Sequence, residues 1–240
     1  MKLLRTSFGV AVVLPSGEPL HVRHIMGIGM NYAAHAREQG KGIPDRPVLF
    51  TKNPAAAILD GDEIVVPKVC QEREQVDFEG ELAVIVARPD MKPIRDIARS
   101  DAMSCVLGYC VANDVSARWW QRDGSGGQFC RGKSFDTFCP LGPTVTPAAK
   151  VPNPNALRLQ TRVNGVTMQD ASTSDMIFDI PTLISELSKG TTLLPGTVIL
   201  TGTPSGVGMA RTPPSFLKHA DVIEIEIESL GTLKNRVRFE

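Results

Sequence analysis

The sequence predicts an α+β fold dominated by strands, with few and short helices. Two observations carry this. Short apolar runs recur at residues 8–14, 25–28, 47–51, 82–86, 106–112 and 197–200, punctuated by Gly and Pro. Only two segments, 31–40 and 180–189, carry helical signals with both a start and a stop. At 240 residues and 42% hydrophobic content the chain has material for one large core. No repeat of solenoid length, low-complexity tract or linker divides it. The expected organisation is an N-terminal strand appendage over residues 1–20 and one large domain over residues 21–240.

Taken in order, the runs at 8–14 and 25–28 read as short strands, followed by a helix with Asn31 as N-cap and Gly40 just past its end. Strands follow at 47–51 and 82–86. The run 106–112 ends at Asn113-Asp114, and Val115 onward is expected to start a helix reaching Gln121. On that helix Arg118, four residues beyond Asp114, and Gln121, three beyond Arg118, would share one face with it. The helix 180–189 is stopped by Gly190, and a strand follows at 197–200. Ile223, Ile225 and Ile227 then alternate with Glu224, Glu226 and Glu228, and Ser229-Leu230-Gly231 turns the chain into 233–239. Lys234, Arg236 and Arg238 are expected to face those glutamates across the hairpin.

Composition narrows the function classes. The 26 basic and 26 acidic residues cancel, so no basic field exists to hold nucleic acid or an anionic membrane. No stretch reaches the roughly 18 apolar residues of a membrane span. Five cysteines, an odd number without Cys-x-x-Cys spacing, argue for reduced thiols rather than a disulfide framework or a zinc knuckle. A cytoplasmic protein is expected, with organelle import left open.

The chemistry concentrates around Glu79 and Glu81. Residues i and i+2 of a strand share a face, so these carboxylates converge at the mouth of an apolar strand, where they repel one another and resist desolvation. A hard divalent cation, Mg2+, Mn2+ or Ca2+, resolves that conflict better than zinc, which favours Cys and His. Alone, a Glu-x-Glu pair is as well explained by a solvated strand face. Asp114, at the end of the run 106–112, supplies a third acid. Lys133 follows the glycine-rich run Gly124-Ser125-Gly126-Gly127, which gives its amine reach toward a bound anion. His35 and Glu38 stand at i and i+3 on the first helix, where the carboxylate can orient the imidazole. Thr201-Gly202-Thr203-Pro204-Ser205-Gly206-Val207-Gly208 lacks the Gly-Lys-Ser/Thr ending of a phosphate loop. It reads as a rigid turn offering backbone N–H groups and the Thr203 hydroxyl to an anionic ligand.

Five blocks in this order carry a resemblance to a known family: Asn31-Tyr32 with His35-x-x-Glu38; Asp77-Phe78-Glu79-Gly80-Glu81-Leu82; Asn113-Asp114-Val115-Ser116-Ala117-Arg118; Gly132-Lys133-Ser134-Phe135-Asp136; and Thr201-Gly202-Thr203-Pro204-x-Gly206-Val207-Gly208. The chain resembles the fumarylacetoacetate hydrolase family, and within it the short members of the domain-containing protein 2 type. The resemblance implies a mixed, mostly β folded-sheet roll, a homodimer, and one Mg2+ or Mn2+ per subunit, with Ca2+ able to substitute. It implies Glu79, Glu81 and Asp114 as metal ligands and Lys133 as stabiliser of substrate and enolate. His35 and Glu38 become the acid/base pair on a mobile lid, and Arg118, Gln121, Gly202 and Thr203 the substrate-binding residues. The implied substrates are small 2-oxo or 2,4-dioxo acids, which would undergo C–C hydrolysis, decarboxylation or keto–enol tautomerisation. A noncatalytic member that binds metal and organic acid remains the alternative. The chain departs from many relatives at Trp119, where they carry an acid directly after the arginine.

Overall fold

Alternate side chains of the strand Gly80–Val86 enter two different cores, and this strand organises the molecule. The structure is a computed structural model describing residues 1–240. Leu82, Val84 and Val86 belong to a main core that also holds Ile223, Ile225, Ile227, Leu233 and Val237. Ala83 and Ile85 point into a second core with Leu3, Val10, Val12 and Leu20. Burial on both faces explains the unbroken apolar reading of this segment. Each fully buried Leu, Ile or Val side chain contributes about 1.5–3 kcal/mol relative to exposure.

A seven-stranded mixed sheet places Val48–Lys52, His24–Gly29, Thr197–Leu200, Gly80–Val86, Val106–Asn113, Cys139–Pro147 and Ala57–Leu59 side by side in that order. Across the main core lies a five-stranded sheet of Val166–Ser172, Arg158–Val163, Val222–Ile227, Gly231–Phe239 and Glu63–Val66. Two parallel pairs make the first sheet mixed: Thr197–Leu200 with His24–Gly29, and Cys139–Pro147 with Ala57–Leu59. Leu3–Thr6, Gly9–Val13 and Pro19–His21 form their own three-stranded antiparallel sheet. This is the strand-dominated α+β roll expected from the sequence, with four short α-helices. No helix is long and apolar enough to cross a membrane. All five cysteines are free thiols.

Three local expectations are corrected. Tyr32, not Asn31, precedes the helix Ala33–Glu38. Buried Asn31 instead donates to the Phe178 and Thr201 carbonyls and accepts from the Phe178 N–H, tying the helix entry to two distant segments. No helix begins at Val115: Ser116–Ala117 pairs with Val76–Asp77, and only Arg118–Gln121 is helical. Ladder pairing there satisfies the backbone that a helix would otherwise have closed. In the C-terminal hairpin Lys234 pairs with Glu224 as expected, but Arg238 pairs with Glu63, and Glu226 is taken by Arg162 from the neighbouring strand.

Candidate active site

One end of the seven-stranded sheet collects the chemistry. The antiparallel ladder sets Asn113 opposite Gly80 and Ala112 opposite Glu81, so Asp114 emerges beside Glu79 and its N–H donates to the Glu79 carbonyl at 2.9 Å. Thr197–Leu200 runs antiparallel to Gly80–Val86 and parallel to His24–Gly29. The turn after Leu200 and the helix bearing His35 therefore open onto the same end. Gly80 separates the two glutamates because a Cβ there would lie 2.2 Å from the Thr161 hydroxyl oxygen.

One carboxylate oxygen from each of Glu79, Glu81 and Asp114 lies within 4.8 Å of the others, and all three residues are buried. Their partners differ. Glu79 accepts from Arg118 at 2.6 Å and from the Lys133 ammonium at 2.6 Å. Asp114 accepts from Lys133 at 2.5 Å and from Lys52 at 2.5 Å. Glu81 receives a neutral donor, the Gly202 N–H, at 2.7 Å. Burial would raise the Glu79 carboxyl, but Lys133 and Arg118 hold it well below the usual carboxylate range. Glu81 is pushed well above that range by burial and then by Asp114 and Glu79. Burial would lower the Lys133 ammonium, yet Asp114 and Glu79 raise it.

This donor set fits a divalent cation. Four acids (Asp77, Glu79, Glu81, Asp114) face three bases (Lys52, Arg118, Lys133), and Glu81 is the acid left without a cationic partner. An all-oxygen carboxylate set of this kind suits Mg2+, Mn2+ or Ca2+.

Beside the cluster is a cavity of about 510 Å³ whose walls include Glu79, Lys133, His35, Gln121 and Thr203 on the polar side and Ile28, Phe50 and Phe129 on the apolar side. The His35 Nδ1 lies 3.1 Å from Glu38 Oε2, and its Nε2 lies 2.9 Å from the Gln39 carboxamide nitrogen, which can only donate. His35 is therefore the Nδ1–H tautomer, with its Nε2 lone pair turned to Gln39. The other Glu38 oxygen accepts from the Gly206 N–H at 2.9 Å. Gly206 has φ +104°, and a Cβ would lie 2.1 Å from the Met168 carbonyl oxygen, so only glycine presents this N–H.

The turn 201–208 thus serves the protein's own carboxylates: Gly202 caps Glu81, Gly206 holds Glu38, and Gly208 donates to Asp77 at 2.8 Å. Thr203 reaches the cavity, with its hydroxyl donating to the Gly80 carbonyl at 3.0 Å and accepting from Gln169 at 2.8 Å. Lys133 is not a flexible reach from a glycine run. It closes the short helix Phe129–Lys133, is 1% exposed, and has the Phe50 ring 4.9 Å from its nitrogen. Arg118 stands behind Glu79 rather than on the cavity wall, bonded to Asp77, Glu79 and Gln121. Trp119 turns away from the cavity to stack under the Arg73 guanidinium, 4.4 Å from the ring centre.

Two residues of the cluster escaped the sequence reading. Asp77 continues the alternation 77, 79, 81, a signal present in the chain. It clamps Arg118 through both Nε and Nη2 while accepting from Gly208 and Met209. Lys52 ends an apolar strand and has no local signal, yet its side chain is fully buried against Asp114 and the Val115 carbonyl. Lys52→Met would leave Asp114 with Lys133 as its one cationic partner, a loss of about 1.5–3 kcal/mol. Thermal unfolding in chelator should show a midpoint lowered by on the order of 10 °C. An unchanged midpoint would mean that Lys52 does not compensate Asp114.

Comparison with known proteins places this geometry. Residues 24–238 match the family described as Fumarylacetoacetate (FAA) hydrolase C-terminal. The chain is 45% identical over 213 residues to the mitochondrial oxaloacetate tautomerase FAHD2A of Bos taurus, covering 89% of this chain and 66% of that protein. It is 44% identical over 221 residues to the oxaloacetate tautomerase YisK of Bacillus subtilis, covering 91% of this chain and 71% of that one. The crystal structure of fumarylpyruvate hydrolase from Pseudomonas aeruginosa, in complex with Mn2+ and pyruvate, superimposes over 100% of both chains with a TM-score of 0.85 at 27% identity. With its family match covering nearly all of the two large sheets, the chain belongs to the fumarylacetoacetate hydrolase family.

Proposed function

We propose that the protein is a divalent-metal-dependent enzyme acting on small 2-oxo or 2,4-dioxo acids through an enolate. Glu79, Glu81 and Asp114 would hold Mg2+ or Mn2+. The observation that carries this reading is a buried three-carboxylate cluster whose Glu79 lines one cavity with the Lys133 ammonium and with His35, itself bonded to Glu38. The names of the relatives, two oxaloacetate tautomerases and a fumarylpyruvate hydrolase, support it. The Mn2+ and pyruvate of the Pseudomonas structure support the choice of cation and of acid.

When bound, the cation supplies Lewis-acid polarisation of the 2-oxo group. The side chains do the rest. His35 Nε2, kept as the lone-pair nitrogen by the Nδ1–H bond to Glu38, takes a proton from C3. The C–H electron pair becomes the C2–C3 double bond, and the carbonyl pair moves to the 2-oxygen. Lys133, fixed by Glu79 and Asp114, faces the cavity and neutralises that developing charge. Return of the proton to oxygen completes tautomerisation. In C–C hydrolysis the same base takes a proton from water, the hydroxide adds to the C4 carbonyl of a 2,4-dioxo acid, and the C3–C4 bond breaks with its electron pair becoming the C2–C3 double bond of the enolate. Thr203 and Gln121 line the cavity and orient the acid. The proposal includes a homodimer and an appendage over residues 1–20 attached to a catalytic unit over 21–240.

The test is a panel assayed with Mg2+-loaded protein: acylpyruvate hydrolysis, oxaloacetate decarboxylation and oxaloacetate keto–enol exchange. Acceleration of at least one is expected. Metal binding without turnover on any of them would leave a noncatalytic binder of metal and organic acid instead.

A further inference from the structure

His35 is capped in this structure. Its Nε2, the atom needed as a base, accepts the Gln39 carboxamide, and the Gln39 oxygen is held in turn by Arg122 Nη2 at 3.2 Å. The chain of bonds therefore runs Arg122, Gln39, His35, Glu38, Gly206. Gln39, Arg122 and Lys41 all lie on the wall of the cavity that Glu79 and Lys133 also reach. The other polar contact of Arg122 Nη2 is the neutral Met209 sulfur, at 3.7 Å, so no carboxylate of the protein satisfies its charge.

We propose that Gln39 and Arg122 form a substrate-sensing gate that makes the site selective for oxo acids with a second carboxylate. The proposal rests on the enolate chemistry argued above. Arg122 has a neutral amide oxygen as its partner, and a carboxylate is the stronger acceptor by charge-assisted hydrogen bonding. The distal carboxylate of a dicarboxylic 2-oxo acid takes Arg122, with Lys41 adding to the positive potential. Gln39 then loses the contact that holds it over the imidazole, and His35 Nε2 is released to the substrate. An oxo acid with a neutral tail leaves the cap in place. Gln39 and Arg122 thus act as positioning and specificity residues, while His35 remains the group that moves the proton. The short helix Ala33–Glu38 and Gly40, at φ +66°, give the segment after His35 a place to swing.

The experiment compares keto–enol exchange of oxaloacetate with that of its 4-methyl ester, the same reaction without the distal charge. The wild type should prefer oxaloacetate in kcat/KM. Gln39→Ala should lose about tenfold of that preference by a rise in kcat on the ester, an increase that mere structural damage does not produce. Arg122→Ala should lose a similar factor by a rise in KM for oxaloacetate and, with Gln39 no longer held, a rise in kcat on the ester, and Arg122→Lys should restore part of the preference. Wild-type exchange of oxaloacetate with the preference unchanged in Gln39→Ala and Arg122→Ala would overturn the gate while leaving the enolate chemistry standing. Equal losses on both substrates in both variants would also overturn it. No wild-type exchange on either compound would overturn the gate and leave the enolate reading to the hydrolysis and decarboxylation assays.

Discussion

Glu81→Ala is expected to abolish Mg2+ and Mn2+ binding while the protein stays folded. Of the three clustered carboxylates, Glu79 and Asp114 are each tied to two cationic side chains, whereas Glu81 has the Gly202 N–H. Glu81 is therefore the acid whose charge is least compensated, and its carboxyl is raised by burial and by its neighbours Asp114 and Glu79. Removing it leaves three acids facing three bases, so a divalent cation meets neither an unpaired carboxylate nor the third ligand. The same removal relieves repulsion among buried acids, so the unfolding midpoint measured in chelator should hold or rise. Titration calorimetry with thermal scans reads both. Wild-type affinity in Glu81→Ala would contradict the ligand assignment.

His35→Ala should reduce kcat by about 10² to 10⁴ on the substrate that the panel identifies, with metal affinity unchanged. The imidazole bonds to Glu38 and Gln39 and to none of the three candidate ligands, which separates proton transfer from cation binding. Glu38→Gln should also lower kcat, because an amide whose oxygen keeps the Gly206 contact turns its NH2 to Nδ1, which disfavours the Nδ1–H tautomer and no longer stabilises an imidazolium. Steady-state rates beside metal titration decide this. A full wild-type kcat in His35→Ala would remove the dyad from the mechanism.

How much of this was readable in advance depends on the residue. The alternation that makes Gly80–Val86 a strand also puts Glu79 and Glu81 together, and His35-x-x-Glu38 is a local helix spacing, so both pairs were visible. The strand Thr197–Leu200 and the helix Ile180–Ser188, capped by Asp179 and followed by Gly190 at φ +63°, were equally plain. Cys139–Pro147 was not, because Pro140, Gly142, Pro143 and Pro147 read as a loop although the segment pairs along Val106–Asn113. Arg158–Val163 and Val166–Ser172 were missed for another reason: their exposed faces are polar, and the hairpin signal Asn164-Gly165, both at positive φ, was the one local clue. Lys52, Gln39 and Arg122 are long-range matters. Lys52 meets Asp114 across 62 positions and Arg122 meets Gln39 across 83, pairings set by sheet order rather than by any spacing in the chain.

The central claim is that cation, Lys133 and dyad act together on a 2-oxo acid. Its most direct test is oxaloacetate keto–enol exchange followed with metal-loaded protein, after chelation, and after Mg2+ or Mn2+ is restored. Acceleration that disappears on chelation and returns with the metal, but does not return in Glu81→Ala, is the expected result. Acceleration that survives chelation, or metal-loaded protein that accelerates neither this exchange nor the hydrolysis and decarboxylation of the panel, would contradict the account.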